Sequence, residues 1–121
     1  MPHATAKALG SYGERMAARY LREQGLQILA LNWRCPVGEV DIVARDGDCL
    51  VVCEVKTRRS TTFGTPVEAV THEKLARLRR LAAAWLHEHG ENYVDIRVDV
   101  IGVLRPWRGA CQIEHLVSVA P

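Results

Sequence analysis

Residues 38–56, Gly-Glu-Val-Asp-Ile-Val-Ala-Arg-Asp-Gly-Asp-Cys-Leu-Val-Val-Cys-Glu-Val-Lys, read as two β-strands joined by a tight turn at Asp46-Gly47. Asp-Gly between two alternating apolar runs is a strong hairpin signal, because both central residues of a type I′ turn need positive φ. A turn of those two residues sets Arg45 opposite Asp48, Asp41 opposite Val52 and Glu39 opposite Glu54. Side chains alternate along a strand, so Glu39, Asp41, Val43, Leu50, Val52, Glu54 and Lys56 collect on one face. Asp41 and Glu54 then become diagonal neighbours, about 7–8 Å apart at the backbone. Carboxylates that close repel and call for a compensating cation, either Lys56 or a divalent metal.

Outward from the hairpin, the third strand explains why its end is special. Its odd positions (Cys49, Val51, Cys53, Val55) are wholly apolar, and its even positions are apolar only until Glu54. Such a strand is buried on both faces and emerges at a polar point, a pattern that suits a site better than packing. Before the hairpin, Leu26 to Arg34 reads as a first strand, with the second at Glu39 to Arg45 and the third at Cys49 to Lys56. Ahead of these, Thr5 to Gln24 is predicted helical, with Leu9, Tyr12, Gly13, Met16, Ala17, Tyr20 and Leu21 at helical spacing and Gly25 as a stop. Residues 1–4 are expected to be a flexible leader. Gly10 and Gly13 weaken a helix, so their expected use is close approach to the sheet. Glu14 borders the apolar stripe, where it either looks along the helix–sheet seam or is a solvated helix glutamate.

Beyond the hairpin, residues 57–66 form a polar loop, and a helix runs from its N-cap Thr71 to His89 with Gly90 closing it. Tyr93 to Leu104 is a fourth strand, and Cys111 to Val119 a short last one. The order αβββαββ predicts one α/β domain over residues 5–120, a central mixed β-sheet flanked by helices.

A chain of 121 residues with 48% hydrophobic and 25% charged residues suits a folded domain with a real core. Net charge is only +2, but the cations are 13 Arg against 3 Lys. Arginine suits phosphate recognition, although a GC-rich genome would leave the same bias. Nothing approaches the ~20 apolar residues of a membrane span, and no signal-peptide core is present, so a cytoplasmic protein with no membrane contact is expected. The four cysteines (Cys35, Cys49, Cys53, Cys111) lack a CxxC pair, and Cys49 and Cys53 lie about 13 Å apart along one strand, so reduced thiols are expected.

Asp41, Glu54 and Lys56 match what metal-assisted phosphodiester hydrolysis needs. Mg²⁺ is a hard cation held by one or two carboxylates together with water and phosphate oxygens, and a lysine two residues beyond a ligand can orient the attacking water. The bland alternative is a rim ion pair between Glu54 and Lys56, worth about 0–1 kcal/mol if exposed.

Asp41…Glu54-x-Lys56, preceded by Glu14 on a helix, resembles the PD-(D/E)xK restriction-endonuclease-like superfamily. More narrowly, Gly13-Glu14-Arg15 with Ala17, Tyr20 and Leu21, the block from Gly38 to Arg58, and Arg97-Val-Asp-Val-Ile101 resemble the YraN family, similar in fold to archaeal Holliday-junction resolvases. The resemblance spans about residues 8–120. It implies a restriction-endonuclease-like fold and a Mg²⁺ site (Mn²⁺ substituting) built from Glu14, Asp41, Glu54 and the backbone carbonyl of Val55, with Lys56 as the lysine. It also implies DNA cleavage on branched or single-stranded substrates, by a homodimer. Val40 departs from the superfamily pattern, which has proline there. Arg58 and Arg59 are placed to hold a DNA backbone, with Lys74 a weaker phosphate contact. Arg77, Arg79 and Arg80 read as a solvated flank, and Trp33, Trp85 and Trp107 as core or rim residues. The competing reading is a non-catalytic nucleic-acid-binding or adaptor protein that keeps the fold; a relic would be expected to have lost part of the acid–lysine set.

Overall fold

The computed structural model describes residues 2–62, 64–90 and 92–119, with side chains from Lys7 onward. Helix α1 (Pro2–Glu23) is followed by β1 (Gln27–Cys35), β2 (Gly38–Asp46) and β3 (Cys49–Arg58). A 3₁₀ turn (Pro66–Ala69) leads into α2 (His72–His89), then β4 (Asp95–Leu104) and β5 (Gln112–Leu116). The five strands form one sheet in the order β1-β2-β3-β4-β5. All neighbours are antiparallel except β3 and β4, whose parallel pairing is connected through α2. This is the expected αβββαββ arrangement, a single mixed sheet between two helices.

Each helix covers one face. Ala17, Ala18 and Leu21 of α1 meet Ile42, Ala44, Val51, Cys53 and Ile101, while Leu75, Leu78, Leu81 and Trp85 of α2 meet Val43, Leu50, Val52, Val98 and Val100. Strand β3 is therefore buried on both sides, as its two apolar faces required. The caps of α2 follow from the sequence: the Thr71 side chain accepts a hydrogen bond from the Lys74 N–H at 3.2 Å, and Gly90 closes the helix at φ 62°. Helix α1 begins at Pro2, three residues ahead of the expected Thr5, which corrects the expected leader over residues 2–4; Met1 lies outside the described residues. A proline is tolerated in a first helical turn because the missing N–H has no partner there.

The hairpin departs from its expected register. Asp46 pairs with Cys49, Arg45 with Leu50 and Val43 with Val52, so the two loop residues are Gly47 and Asp48. Gly47 has φ 57°, and among the described non-glycine residues only Asn32 and Ser118 have positive φ. The turn thus needs positive φ only at its first central residue, as a type II′ turn does, and the glycine takes that position. A shift of two residues preserves parity, so Val43, Leu50 and Val52 still share a face. It moves Asp41 from its expected place opposite Val52 to the level of Glu54, one step beyond the last ladder pair, Ile42 with Cys53. Alternation also slips here. Val40 and Val43, three apart, both join the α2 layer, while Ile42 joins the α1 layer.

The two α1 glycines differ. A Cβ on Gly13 would lie 1.8 Å from Thr57 Oγ1, so α1 meets β3 there without room for a methyl group, whereas a Cβ on Gly10 would meet nothing within 4 Å. Gly10 therefore does not serve the expected close approach. Alanine is favoured over glycine in a helix by about 1 kcal/mol, and overpacking costs about 1–3 kcal/mol. Urea denaturation should show Gly10→Ala stabilised and Gly13→Ala destabilised, with Thr57→Ala partly restoring the latter. Equal effects of the two glycine substitutions would contradict this helix–strand contact.

Candidate active site

Glu54 stands at the end of the doubly buried part of β3, with its side chain only 6% exposed. Its two oxygens meet two lysines. Lys56 Nζ, from two residues further along the same strand, lies 3.5 Å from Oε1, and Lys74 Nζ, from the first turn of α2, lies 3.6 Å from Oε2. Sequence spacing anticipated Lys56. Lys74 was expected only as a weak phosphate contact, and what brings it here is the Thr71 cap, which fixes where α2 starts.

Asp41 reaches the same place by a different route. Where the β2–β3 ladder stops, its Oδ2 accepts a hydrogen bond from the Val55 N–H at 2.8 Å. A side chain thus fills a backbone acceptor's role and aims Asp41 across the gap between the strands. Glu14 completes the acidic seam from α1. The Asn32 carboxamide, its nitrogen oriented by the surrounding acceptors, donates to Glu14 Oε1 at 2.8 Å and to Glu39 Oε1 at 3.3 Å. Asn32 sits in β1 at φ 51°, a left-handed conformation that asparagine tolerates better than most residues. Sequence reading missed Asn32; the only available signal was a lone asparagine within an apolar strand.

The electrostatics of these acids agree. Burial pushes the Glu54 carboxyl above its ordinary value, and the Asp41 charge adds to the rise, against the lowering influence of Lys74 and Lys56. Burial likewise raises Asp41, although the Val55 N–H and the two lysines pull the other way. Glu14 is raised by burial and by the Asp41 and Glu39 charges, with the Asn32 hydrogen bond opposing. All three acids are therefore held where their charged forms are disfavoured.

The other buried acid is surrounded by donors. Asp99, fully buried in β4, accepts from Arg97 Nε at 3.0 Å, His115 Nε2 at 2.7 Å and the Ser118 N–H at 3.0 Å. His115 continues to the Tyr20 hydroxyl at 3.1 Å, tying β5 to α1. Asp99 is saturated and structural, whereas Glu54 has two loose ion pairs.

A cavity of about 400 Å³ opens beside Glu14 and Lys56, lined also by Val55, Thr57, Arg58 and Arg59 among others. The expected backbone contacts Arg58 and Arg59 thus border the same space as Glu14 and Lys56. Arg77, Arg79 and Arg80 are exposed on α2, and Trp85 is core, as expected. All four cysteines are free thiols.

Among the described residues, no three acids, imidazoles or thiols converge as a ready-made metal cage. Mg²⁺ does not need one, since it is typically held by one or two carboxylates together with water and substrate phosphate. Asp41 and Glu54, hard oxygen donors whose charges are undercompensated, fit that demand.

Fold and site together define a restriction-endonuclease-like α/β domain with an acid–lysine constellation at the end of its central strand. The chain belongs to the uncharacterised protein family UPF0102, the YraN group, whose family model matches residues 13–103. It is 57% identical over 122 residues to a UPF0102 protein of Kineococcus radiotolerans, covering 99% of this chain and 100% of the relative. It is 58% identical over 112 residues to one of Beutenbergia cavernae (93% and 95%) and 56% identical over 116 residues to one of a Nocardioides species (96% and 94%). No helix among the described residues is long and apolar enough to cross a membrane.

A raised carboxyl pKa means that the folded state binds its proton more tightly than the unfolded chain does. Stability from that group is complete below its ordinary value near 3.8 and is lost as pH rises through the higher folded value. Asp41→Asn keeps an acceptor for the Val55 N–H and removes the charge. It should melt higher than the wild type at pH 7.5, with the gap narrowing as pH falls towards 4. A variant that melts lower at pH 7.5 would show that Asp41 is a stabilising ion-pair partner instead.

Proposed function

We propose that the protein is a metal-dependent nuclease that hydrolyses DNA phosphodiester bonds, acting in the cytoplasm on branched or single-stranded DNA. The observation that carries this reading is the convergence of Asp41 and Glu54, both with raised pKa values, upon Lys56 and Lys74. Saturated structural acids such as Asp99 do not leave their charge undercompensated in this way. Asp41, Glu54 and the Val55 carbonyl would hold Mg²⁺ or Mn²⁺, with Glu14 as an outer acid steadied by Asn32. When bound, such an ion polarises a phosphoryl oxygen and acidifies a coordinated water. Lys56, on the strand face of Glu54, orients the attacking water and offsets charge on the phosphoryl centre; Lys74 adds a second cation from α2. Arg58 and Arg59 hold the backbone beside the cavity. Symmetric cutting of two strands would call for a homodimer.

One observation favours a second reading, a non-catalytic nucleic-acid-binding or adaptor protein. Lys56 and Lys74 already lie against both Glu54 oxygens, supplying internally part of the cation that the acids require.

A cleavage panel of duplex, flap, single-stranded and four-way DNA separates the two. With Mg²⁺ or Mn²⁺, the purified protein should cut at least one branched or single-stranded substrate. Glu54→Gln and Lys56→Ala should each slow cutting by about 100-fold or more, the size of loss seen when one preorganised charge is removed. Equal activity in the wild type and both variants would identify a contaminant and leave the adaptor reading.

A further inference from the structure

The acid-bearing cavity continues into an arginine–aromatic surface that neither the acids nor the lysines account for. Arg59, which lines the cavity with Glu14, places its guanidinium 3.9 Å from the centre of the Trp107 ring. Trp107 is nevertheless 76% exposed, so one face of the indole is held by the arginine and the other is open to solvent. Next to it, Arg105 lies 4.0 Å over the Tyr12 ring, and its N–H donates to the Arg58 carbonyl at 2.8 Å, joining the end of β4 to the end of β3. Among the described residues, Arg58, Arg59 and Arg105 make no ion pair with an acid. The surface therefore carries uncompensated positive charge beside an exposed, orientationally fixed ring.

We infer that this surface is a docking platform for a single-stranded DNA tail, in which an unpaired base stacks on the open face of Trp107 while Arg58, Arg59 and Arg105 follow the phosphates. The inference rests on the nuclease reading for its direction, since it names the substrate feature that the same site would take. Charge complementarity selects a polyanion, and an aromatic face selects a base that is not already stacked within a duplex. Continuity selects the same strand that enters the site. From Glu54 to Arg59, β3 and its extension advance about 16 Å at strand rise, so a base on Trp107 lies a few nucleotides from a phosphate at the acids.

Binding measured without metal tests the platform separately from cleavage. A short oligothymidylate is titrated in EDTA against the wild type, Trp107→Ala and Trp107→Phe, following tryptophan fluorescence for the wild type and anisotropy of a labelled oligomer for all three. The wild type should bind with quenched tryptophan emission. Trp107→Ala should bind the oligomer about ten-fold or more weaker, Trp107→Phe should retain most of the affinity, and a blunt duplex of equal length should bind all three alike. Because Trp107 is exposed, Trp107→Ala should melt like the wild type, so lost binding is not lost folding. Wild-type affinity of Trp107→Ala for the oligomer, or an equal loss on blunt duplex, overturns the platform. If that happens while the wild type still cuts DNA, the nuclease reading survives alone. If the oligomer binds through Trp107 and nothing is cut, the platform survives alone and serves the adaptor reading.

Discussion

The hydrogen bond from the Val55 N–H to the Asp41 carboxylate is the constraint on which the site depends. It forms where the β2–β3 ladder ends, one residue past Ile42 and Cys53. An unpaired N–H at that depth would be costly, and satisfying it with a side chain instead of a carbonyl does two things together. It lets the strands separate, and it fixes an acid beside Glu54 on a central strand rather than on a loop. Everything else in the site is placed relative to that opening: Lys56 two residues along, Lys74 from the capped start of α2, and Glu14 across the seam that Gly13 allows α1 to close.

The fold treats its buried acids in two ways. Asp99 is given a guanidinium, an imidazole and a backbone N–H as partners, and through His115 and Tyr20 it ties β4, β5 and α1 together. Glu54 is buried and Asp41 and Glu14 partly so, and the Asp41 charge raises the proton affinity of both glutamates while burial raises its own. Such an arrangement lowers stability at neutral pH, and the rest of the domain, a strand buried on both faces between two helices, tolerates it. Charge left undercompensated in a rigid frame suits the capture of a cation and of the phosphate that a cation accompanies.

Much of this was legible in the chain. The apolar periods of α1 and α2, the Thr71 cap, the Gly90 stop and the two-faced burial of β3 follow from residue type and spacing alone. The spacing of Glu54 and Lys56 likewise implied that they meet. What stayed hidden depended on choices between nearly equal local conformations. Asp-Gly and Gly-Asp both make two-residue turns, and the chain uses the second, which shifts the register by two residues and brings Asp41 level with Glu54. The slip at Val40 is a consequence of packing against α2, which no period reveals. Gly10 and Gly13 look alike in sequence, and only the path of β3 distinguishes them. Trp107, expected in core or rim, stands open to solvent in the turn after β4, with Arg59 against its ring.

The central claim is that Asp41 and Glu54 together form a site for a divalent cation. Calorimetric titration of Mn²⁺ into the metal-free protein and into Asp41→Asn and Glu54→Gln tests it most directly, because it needs neither a substrate nor turnover. The account predicts saturable binding by the wild type that is lost or strongly weakened in both variants. Binding of equal strength in all three proteins, or none in the wild type, would contradict it.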